Sequence, residues 1–406
     1  MPIFVKIYLH MKKRYLYNQV TKYLEHKNAL VITGMRQVGK TTLMKQVYSS
    51  VKLPKIWFDF DNPLDLMLFE NTDYEGIYTD LIKESGAGKG KRLYVFIDEI
   101  QNFPEITKIM KYLIDKHSVK FIVTGSSNYY LKNLFPESLS GRKFLFILHP
   151  MDFREYVAFV SGEGDNEDYS GSYKLTSLKP LSYYQFKKHE PLYDDYLNYG
   201  GLPEVVLTED YETKNLVLKN IFSSFFEKDL RLLSDLSDIK ELRDLIILLS
   251  ARAGNILDIT KLASELGINR VKTYSYLEFL QGIFIIKLMP KYSLSVDRSV
   301  AGGKKVYFSD NGILNIFAKI SEGQMFENAV ANQLSEYGEL SYYNMRNTSE
   351  LDFIVNGTAA FEVKNKGTFR DVQAAGKICI KIGIKKCFII SREYSKEKNI
   401  ITASAL

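Results

Sequence analysis

Nine consecutive residues, "GMRQVGKTT" from Gly34 to Thr42, carry the spacing G-x-x-x-x-G-K-S/T. Glycines at these places let backbone N–H groups come close to a phosphate, and the helix expected over "TTLMKQVYSS" adds a favourable dipole. Lys40 is placed to reach the β- and γ-phosphates of a nucleotide, and the Thr41 hydroxyl to hold Mg²⁺. Gly34, Gln37, Val38, Gly39 and Thr42 complete the cradle. Downstream, "LYVFIDE" delivers Asp98 and Glu99 to the end of an apolar run. In an open α/β sheet that end is where ligands bind. Asp98 is expected to bind Mg²⁺ through water, and Glu99 to polarise the attacking water. Acids at a strand end also serve solubility, so the pair gains meaning from the phosphate loop beside it.

Further polar residues surround this chemistry. "FIVTGSSN" offers Thr124, Ser126 or Asn128 to the γ-phosphate or the water, or is a plain turn. Arg142, in "LSGRK", either contacts phosphate, within its own chain or across a homo-oligomer interface, or is a surface charge. Guanine specificity usually needs N-K-x-D, and "NKGT" at 365–368 lacks the acid, so ATP with Mg²⁺ is the expected cofactor pair.

A second group lies near the C-terminus. Glu327 falls in "MFENAVANQLSEY", Asp352 in "ELDFIV", and Glu362 and Lys364 in "FEVK". Carboxylates on adjacent strands can hold one or two Mg²⁺ ions, which polarise a phosphodiester and activate water. A lysine beside them stabilises the charge that develops. Glu362 and Lys364, two apart on a strand, share a face. Hairpin register decides whether Asp352 joins them. A three-residue loop, Asn356-Gly357-Thr358, pairs Val355 with Ala359 and sets Asp352 opposite Glu362. A two-residue turn would send the acids to opposite faces. The longer loop also gathers Leu351, Phe353, Phe361 and Val363 on one face.

The elements that must position these residues follow from periodicity. Lys12 to Lys27 reads as an amphipathic helix. "ALVITG", "KIWFDFDN" (55–62), "RLYVFIDE" (92–99), "VKFIVTGSS" (119–127) and "KFLFILHP" (143–150) are short apolar strands with helical patterns between them. That predicts a parallel sheet covered on both faces. Past Met151 the pattern is helical, interrupted by a polar segment at 161–177. Three helical patterns and a strand over 241–292 suggest a winged helix, with Asn269 capping a third helix that exposes Arg270, Lys272 and Tyr274. The winged helix either binds DNA or serves as a packing unit. The expected parts are 1–150, 151–238, 239–298 and 299–406.

The chain has 406 residues, and its net charge of +6 permits a nucleic-acid partner without demanding one. Two cysteines, Cys379 and Cys387, give no disulfide framework, which favours a cytoplasmic setting. No apolar run is long enough to suggest a membrane span. The N-terminal stretch lacks a small-residue cleavage site and does not read as a signal peptide, and Met11 is an alternative start.

Taken together, "GMRQVGKTTL", "YVFIDEIQNFP", "FIVTGSSN", "LSGR" and "YLNYGGLPEVV" resemble a prokaryotic family of AAA-type ATPases. The resemblance covers nearly the whole chain. It implies an α/β P-loop core, a helical region, a winged helix and a C-terminal α/β domain similar to the restriction-endonuclease fold. The E…D…E-x-K order is likewise similar to that of PD-(D/E)XK nucleases. Two functions are open: an ATPase fused to a Mg²⁺-dependent nuclease acting on nucleic acid, with DNA foremost, or a non-cleaving switch that binds DNA or a protein.

Overall fold

The computed structural model describes residues 12–88, 91–125, 141–162, 173–176, 178–228, 236–293, 295, 302–345 and 349–406. The chain forms two compact units. The first holds residues up to His149 together with Gly282–Phe284, and the second holds the rest.

In the first unit a short helix, α1 (Leu16–Thr21), precedes the sheet. It is shorter than the periodicity suggested, because the chain continues in turns from Lys22. Strands β1 (Ala29–Thr33), β2 (Lys55–Asp59), β3 (Tyr94–Asp98), β4 (Lys120–Gly125) and β5 (Lys143–Ile147) are ordered β2-β3-β4-β1-β5, all parallel. Helix α2 (Lys40–Ser50) follows β1 directly after the phosphate loop. Helices α3 (Pro63–Met67), α4 (Tyr74–Ser85) and α5 (Ile106–His117) complete the unit. Strands β1, β3 and β4 are buried at every position, which is why they read as continuous apolar runs rather than alternating ones. Ile77, Leu81, Ile109, Met110 and Leu113 pack from α4 and α5 against Val95, Ile97, Phe121 and Val123.

The second unit opens with helices α6 (Phe153–Ser161), α7 (Tyr183–Tyr199), α8 (Pro203–Val206) and α9 (Tyr211–Lys228). Then come α10 (Leu236–Ser250), α11 (Ile259–Leu266), α12 (Arg270–Gly282), and the antiparallel strands β6 (Ile286–Met289) and β7 (Lys305–Phe308). Lys305 thus pairs back to Met289, across the sequence position where a new α/β part was expected to begin. Helices α13 (Asn311–Phe317) and α14 (Glu322–Ser335) lead into β8 (Leu340–Met345), β9 (Ser349–Val355) and β10 (Ala359–Lys364). Helix α15 (Phe369–Lys381), β11 (Lys386–Ser391) and β12 (Ile400–Thr402) close the chain. The sheet order is β12-β11-β10-β9-β8, antiparallel from β8 to β10 and parallel from β10 to β12. One face packs on α14 through Val330, Phe353 and Phe361. The other packs on α15 through Ala375, Cys379, Ile354 and Ala360.

The β9–β10 hairpin pairs Val355 with Ala359, Ile354 with Ala360 and Phe353 with Phe361. The loop has three residues, with Asn356 at φ 50° and Gly357 at φ 64°. The Asn356 side chain ties this loop to the chain just before β8. Its Oδ1 accepts from Glu339 N at 2.9 Å, and its Nδ2 donates to Tyr337 O at 3.1 Å. Leu351 departs from the expected apolar face and lies in the core against α15. The cause is a β-bulge: Ser341 pairs with Ile354 but Tyr343 with Leu351, so β9 carries one extra residue between them. The bulge falls at Asp352 and Phe353.

Among the described residues no helix is long and apolar enough to cross a membrane.

Candidate functional site

The phosphate loop is held in an unusual backbone shape. Gly34 has φ 150°, Gln37 φ 60° and Gly39 φ 96°. A Cβ at Gly34 would stand 2.1 Å from Leu148 O, so only glycine fits there. The helix that follows has no side-chain cap, which leaves its first turn, with Lys40, Thr41 and Thr42, suited to an anion. Lys40 is buried, and its Nζ donates to Gly34 O at 3.0 Å and Met35 O at 2.8 Å, curling over the loop. Arg14 braces the loop from outside the motif. It donates to Val38 O at 2.9 Å and to His149 O at 2.7 Å.

Asp98 ends β3 and is buried. One of its oxygens accepts from the Thr124 hydroxyl, which in turn accepts from Glu99 N at 3.2 Å. Strand β4, carrying Thr124, lies between the strands that carry the loop and the acids. Thr124 thus locks the two acids in place. Glu99 sits in the left-handed region at φ 53°, rare for a residue with a side chain and typical of functional sites. Burial raises the Glu99 carboxyl above the ordinary range, while Lys40, the hydrogen bond from Gln101 and the charge of Arg36 pull it down. A buried carboxylate near an ammonium, with a raised proton affinity, suits a group that takes a proton from water. These residues fit a nucleotide phosphate and Mg²⁺: an uncapped helix start, a buried acid with one oxygen already fixed, and a lysine across the loop.

Two residues here escaped the sequence reading. Arg14 lies twenty residues before the motif with no spacing signal of its own. Asp59 ends β2 beside Asp98 in the register, and burial raises its carboxyl. The logic that found Asp98, an apolar strand ending in an acid, would have found Asp59. Ser126 and Asn128 lie outside the described residues. Arg142 is corrected in one respect. Its carbonyl accepts from Ala29 N at the start of β1, whereas the loop follows the end of that strand. The strand spans about 15 Å, so Arg142 stands at the wrong end of the sheet to reach its own loop. Its guanidinium pairs with Asp115 at 2.8 Å.

In the second unit the four expected residues come from three elements. Helix α14 carries Glu327, β9 carries Asp352, and β10 carries Glu362 and Lys364. The bulge re-aims Asp352 so that its Oδ2 accepts from Val363 N at 2.8 Å. Glu362 is pushed up to about 7 by burial and then by the Asp352 charge. Its Oε1 accepts from Lys364 at 2.8 Å, while its buried Oε2 has no hydrogen-bond partner. Burial works to lower Lys364, but its bond to Glu362 together with the charges of Glu362, Asp352 and Asp371 raises it on balance. An orphaned carboxylate oxygen facing a second acid fits a divalent cation held by Asp352 and Glu362.

Glu327 does not complete a three-acid set. Its Oε1 accepts from the Tyr307 hydroxyl at 2.7 Å and lies 3.7 Å from Lys305 Nζ. Burial first, then Asp352, pushes it up to about 7. Among the described residues, no three His, Cys, Asp or Glu side chains gather closely enough to share a metal ion. Lys305 and Tyr307 were missed because β7 is an ordinary strand in sequence. On α12, Asn269 caps the helix as expected, and Arg270 and Tyr274 are exposed. Lys272 is not available as expected: its ammonium is held by Asp238 at 2.8 Å and Glu241 at 2.6 Å.

Residues 26–157 match a family described as an AAA domain. That span contains the phosphate loop, Asp98, Glu99 and the whole parallel sheet. Residues 26–157 form an AAA-type ATPase domain. Residues 190–324 match a domain of unknown function (DUF8612). An uncharacterized protein of Methanocaldococcus jannaschii is 26% identical over 367 residues, covering 86% of this chain and 78% of the relative. One from Haemophilus influenzae is 25% identical over 387 residues, covering 90% of each chain. A Walker-type ATPase of Pyrococcus abyssi shares the fold at a TM-score of 0.50 and 16% identity, covering 76% of this chain and 97% of the other.

Proposed function

We propose that this protein is an ATPase whose second unit is a nuclease-like module acting on nucleic acid with Mg²⁺. The observation that carries the nuclease reading is the bulged hairpin, which brings Asp352 to Glu362 while leaving Glu362 Oε2 without a partner. The order α14-β8-β9-β10-α15-β11, with the two helices on opposite faces of a mixed sheet, supports a restriction-endonuclease-like core.

In the ATPase domain, Lys40 and the start of α2 bind the β- and γ-phosphates, and Thr41 and Asp98 hold Mg²⁺. Glu99 takes the proton of the attacking water. Arg142 completes a neighbouring copy's site, since it cannot reach its own.

In the nuclease module, a divalent ion bound by Asp352 and Glu362 would polarise the phosphodiester and lower the pKa of a water. Lys364 orients that water and offsets charge on the phosphorane. One residue beyond Lys364, Asn365 lines a cleft of about 600 Å³ with Tyr183, Phe186, Lys187, Arg392 and Tyr394. The aromatic rings suit stacking against unstacked bases, whereas Lys187 and Arg392 are ion-paired to Glu190, Asp194 and Glu322 of the same cleft, so its walls add no net positive charge. Helix α12 contributes Arg270 and Tyr274 to a DNA-facing surface, without Lys272.

Crystals of the full chain soaked in Mn²⁺ test the metal reading. An anomalous peak bridging Asp352 and Glu362, absent in Asp352→Asn, is the expected result. No peak at any Mn²⁺ concentration that the crystals survive would overturn it.

A further inference from the structure

Lys305 is only 4% exposed, yet its ammonium lies among acids. It stands 2.9 Å from Glu350 Oε1 and 3.7 Å from Glu327 Oε1, and it feels the charge of Asp352. The Tyr342 ring lies 5.5 Å from its Nζ. The same Glu327 oxygen also accepts from the Tyr307 hydroxyl and lies against Gly254, where even a Cβ would come within 3.1 Å of it. The acids therefore split into two groups that share Asp352. On the β10 side, Glu362 keeps an oxygen free. On the α14 side, Glu327 and Glu350 already have a cation, and it belongs to the protein.

We infer that Lys305 stands in for a second divalent ion: the site takes one metal, between Asp352 and Glu362, and the Lys305 ammonium holds the place by Glu327 where a second would sit. The inference rests on the metal-site reading above but is separable from it. Paired metal sites place ions about 3.5–4 Å apart and clamp both the attacking and leaving oxygens. Here the charge by Glu327 comes instead from a fixed side chain, on a strand whose pairing with β6 sets its position.

Electron paramagnetic resonance of Mn²⁺ titrated into nucleotide-free full-length protein separates the two claims. Only ions lost in Asp352→Asn are counted. Wild type is expected to bind one such ion with an isolated, uncoupled spectrum. Lys305→Met is expected to bind two, with the broadened spectrum of a spin-coupled pair, and Lys305→Arg to return to one. A coupled pair in wild type overturns the inference, and that arm needs no variant to fold. One uncoupled ion in a folded Lys305→Met also overturns it. If wild type binds no Asp352-dependent ion but Lys305→Met does, Lys305 holds a cation's place as inferred, but the one-metal site of the native chain falls with the metal-site reading. If neither binds, both fall.

Discussion

Arg14 should govern nucleotide affinity although it lies outside the phosphate loop. Two of its hydrogen bonds, 2.9 Å to Val38 O and 2.7 Å to His149 O, join the loop to the chain that follows β5. The side chain is 7% exposed, so water does not replace those bonds cheaply when they are lost. A hydrogen bond from a charged donor contributes about 1.5–3 kcal/mol, so losing both would cost the ordered loop about 3 kcal/mol or more. Arg14→Met keeps most of the aliphatic stem and removes the donors. If nucleotide binding must then re-order the loop, about 3 kcal/mol of the binding energy is spent on it. That weakens Kd by about a hundredfold. Titration with a fluorescent ATP analogue measures Kd, and urea unfolding at the same pH confirms that the variant is folded. The reasoning is refuted if folded Arg14→Met binds nucleotide within about twofold of wild type.

Three more outcomes follow from the same geometry. Glu99→Gln should bind ATP yet lose hydrolysis by about 10²–10⁴-fold, as for a lost general base. Because burial raises Glu99, the acid limb of the wild-type kcat profile should lie above the ordinary carboxylate range, and a limb at or below about pH 4 would count against this role. Asp310, fully enclosed at the start of α13, is pushed up to about 6 by burial despite accepting from Gly201 N and Ile313 N. The folded state therefore holds this proton more tightly than the unfolded chain does. Its contribution to stability is complete below about pH 4 and is lost as pH rises through about 6, a change of about 3 kcal/mol. Urea melts should show wild type losing that much relative to Asp310→Asn between those limits, and parallel curves would contradict it. Arg142→Ala removes an exposed pair worth at most about 1 kcal/mol, so stability and single-chain nucleotide affinity should hold. ATP turnover per chain should rise with protein concentration in wild type but not in the variant, and a concentration-independent wild type would remove the trans role.

What the sequence disclosed, and what it withheld, has physical reasons. Strands buried on both faces announce themselves as apolar runs, so β1, β3 and β4 and the acids ending β3 were legible from composition alone. The three-residue hairpin loop was legible because only one register could put Phe353 opposite Phe361 on a buried face. The bulge at Asp352 was not, because an extra residue in a strand leaves no mark on period-two alternation until its partner strand is known. That is why Leu351 was assigned to the wrong core. Lys305 was hidden for a different reason. Its partners, Glu327 and Glu350, are 22 and 45 residues away, brought together only by folding. Lys272 read as an exposed recognition residue because the acids that hold it sit on α10, a separate helix. In each case local pattern fixed the element, and long-range ion pairing or strand irregularity fixed the side chain.

The claim on which most depends is that the second unit cuts nucleic acid at Asp352, Glu362 and Lys364. The direct measurement is end-labelled cleavage of single-stranded, duplex and branched DNA and of RNA, with Mg²⁺ or Mn²⁺, with and without ATP. Wild type should cut at least one substrate only when the metal is present, and Asp352→Asn and Lys364→Ala should each lower the rate at least about 100-fold while remaining folded. Wild-type protein that leaves every substrate intact, or folded variants that cut as fast as wild type, would contradict it.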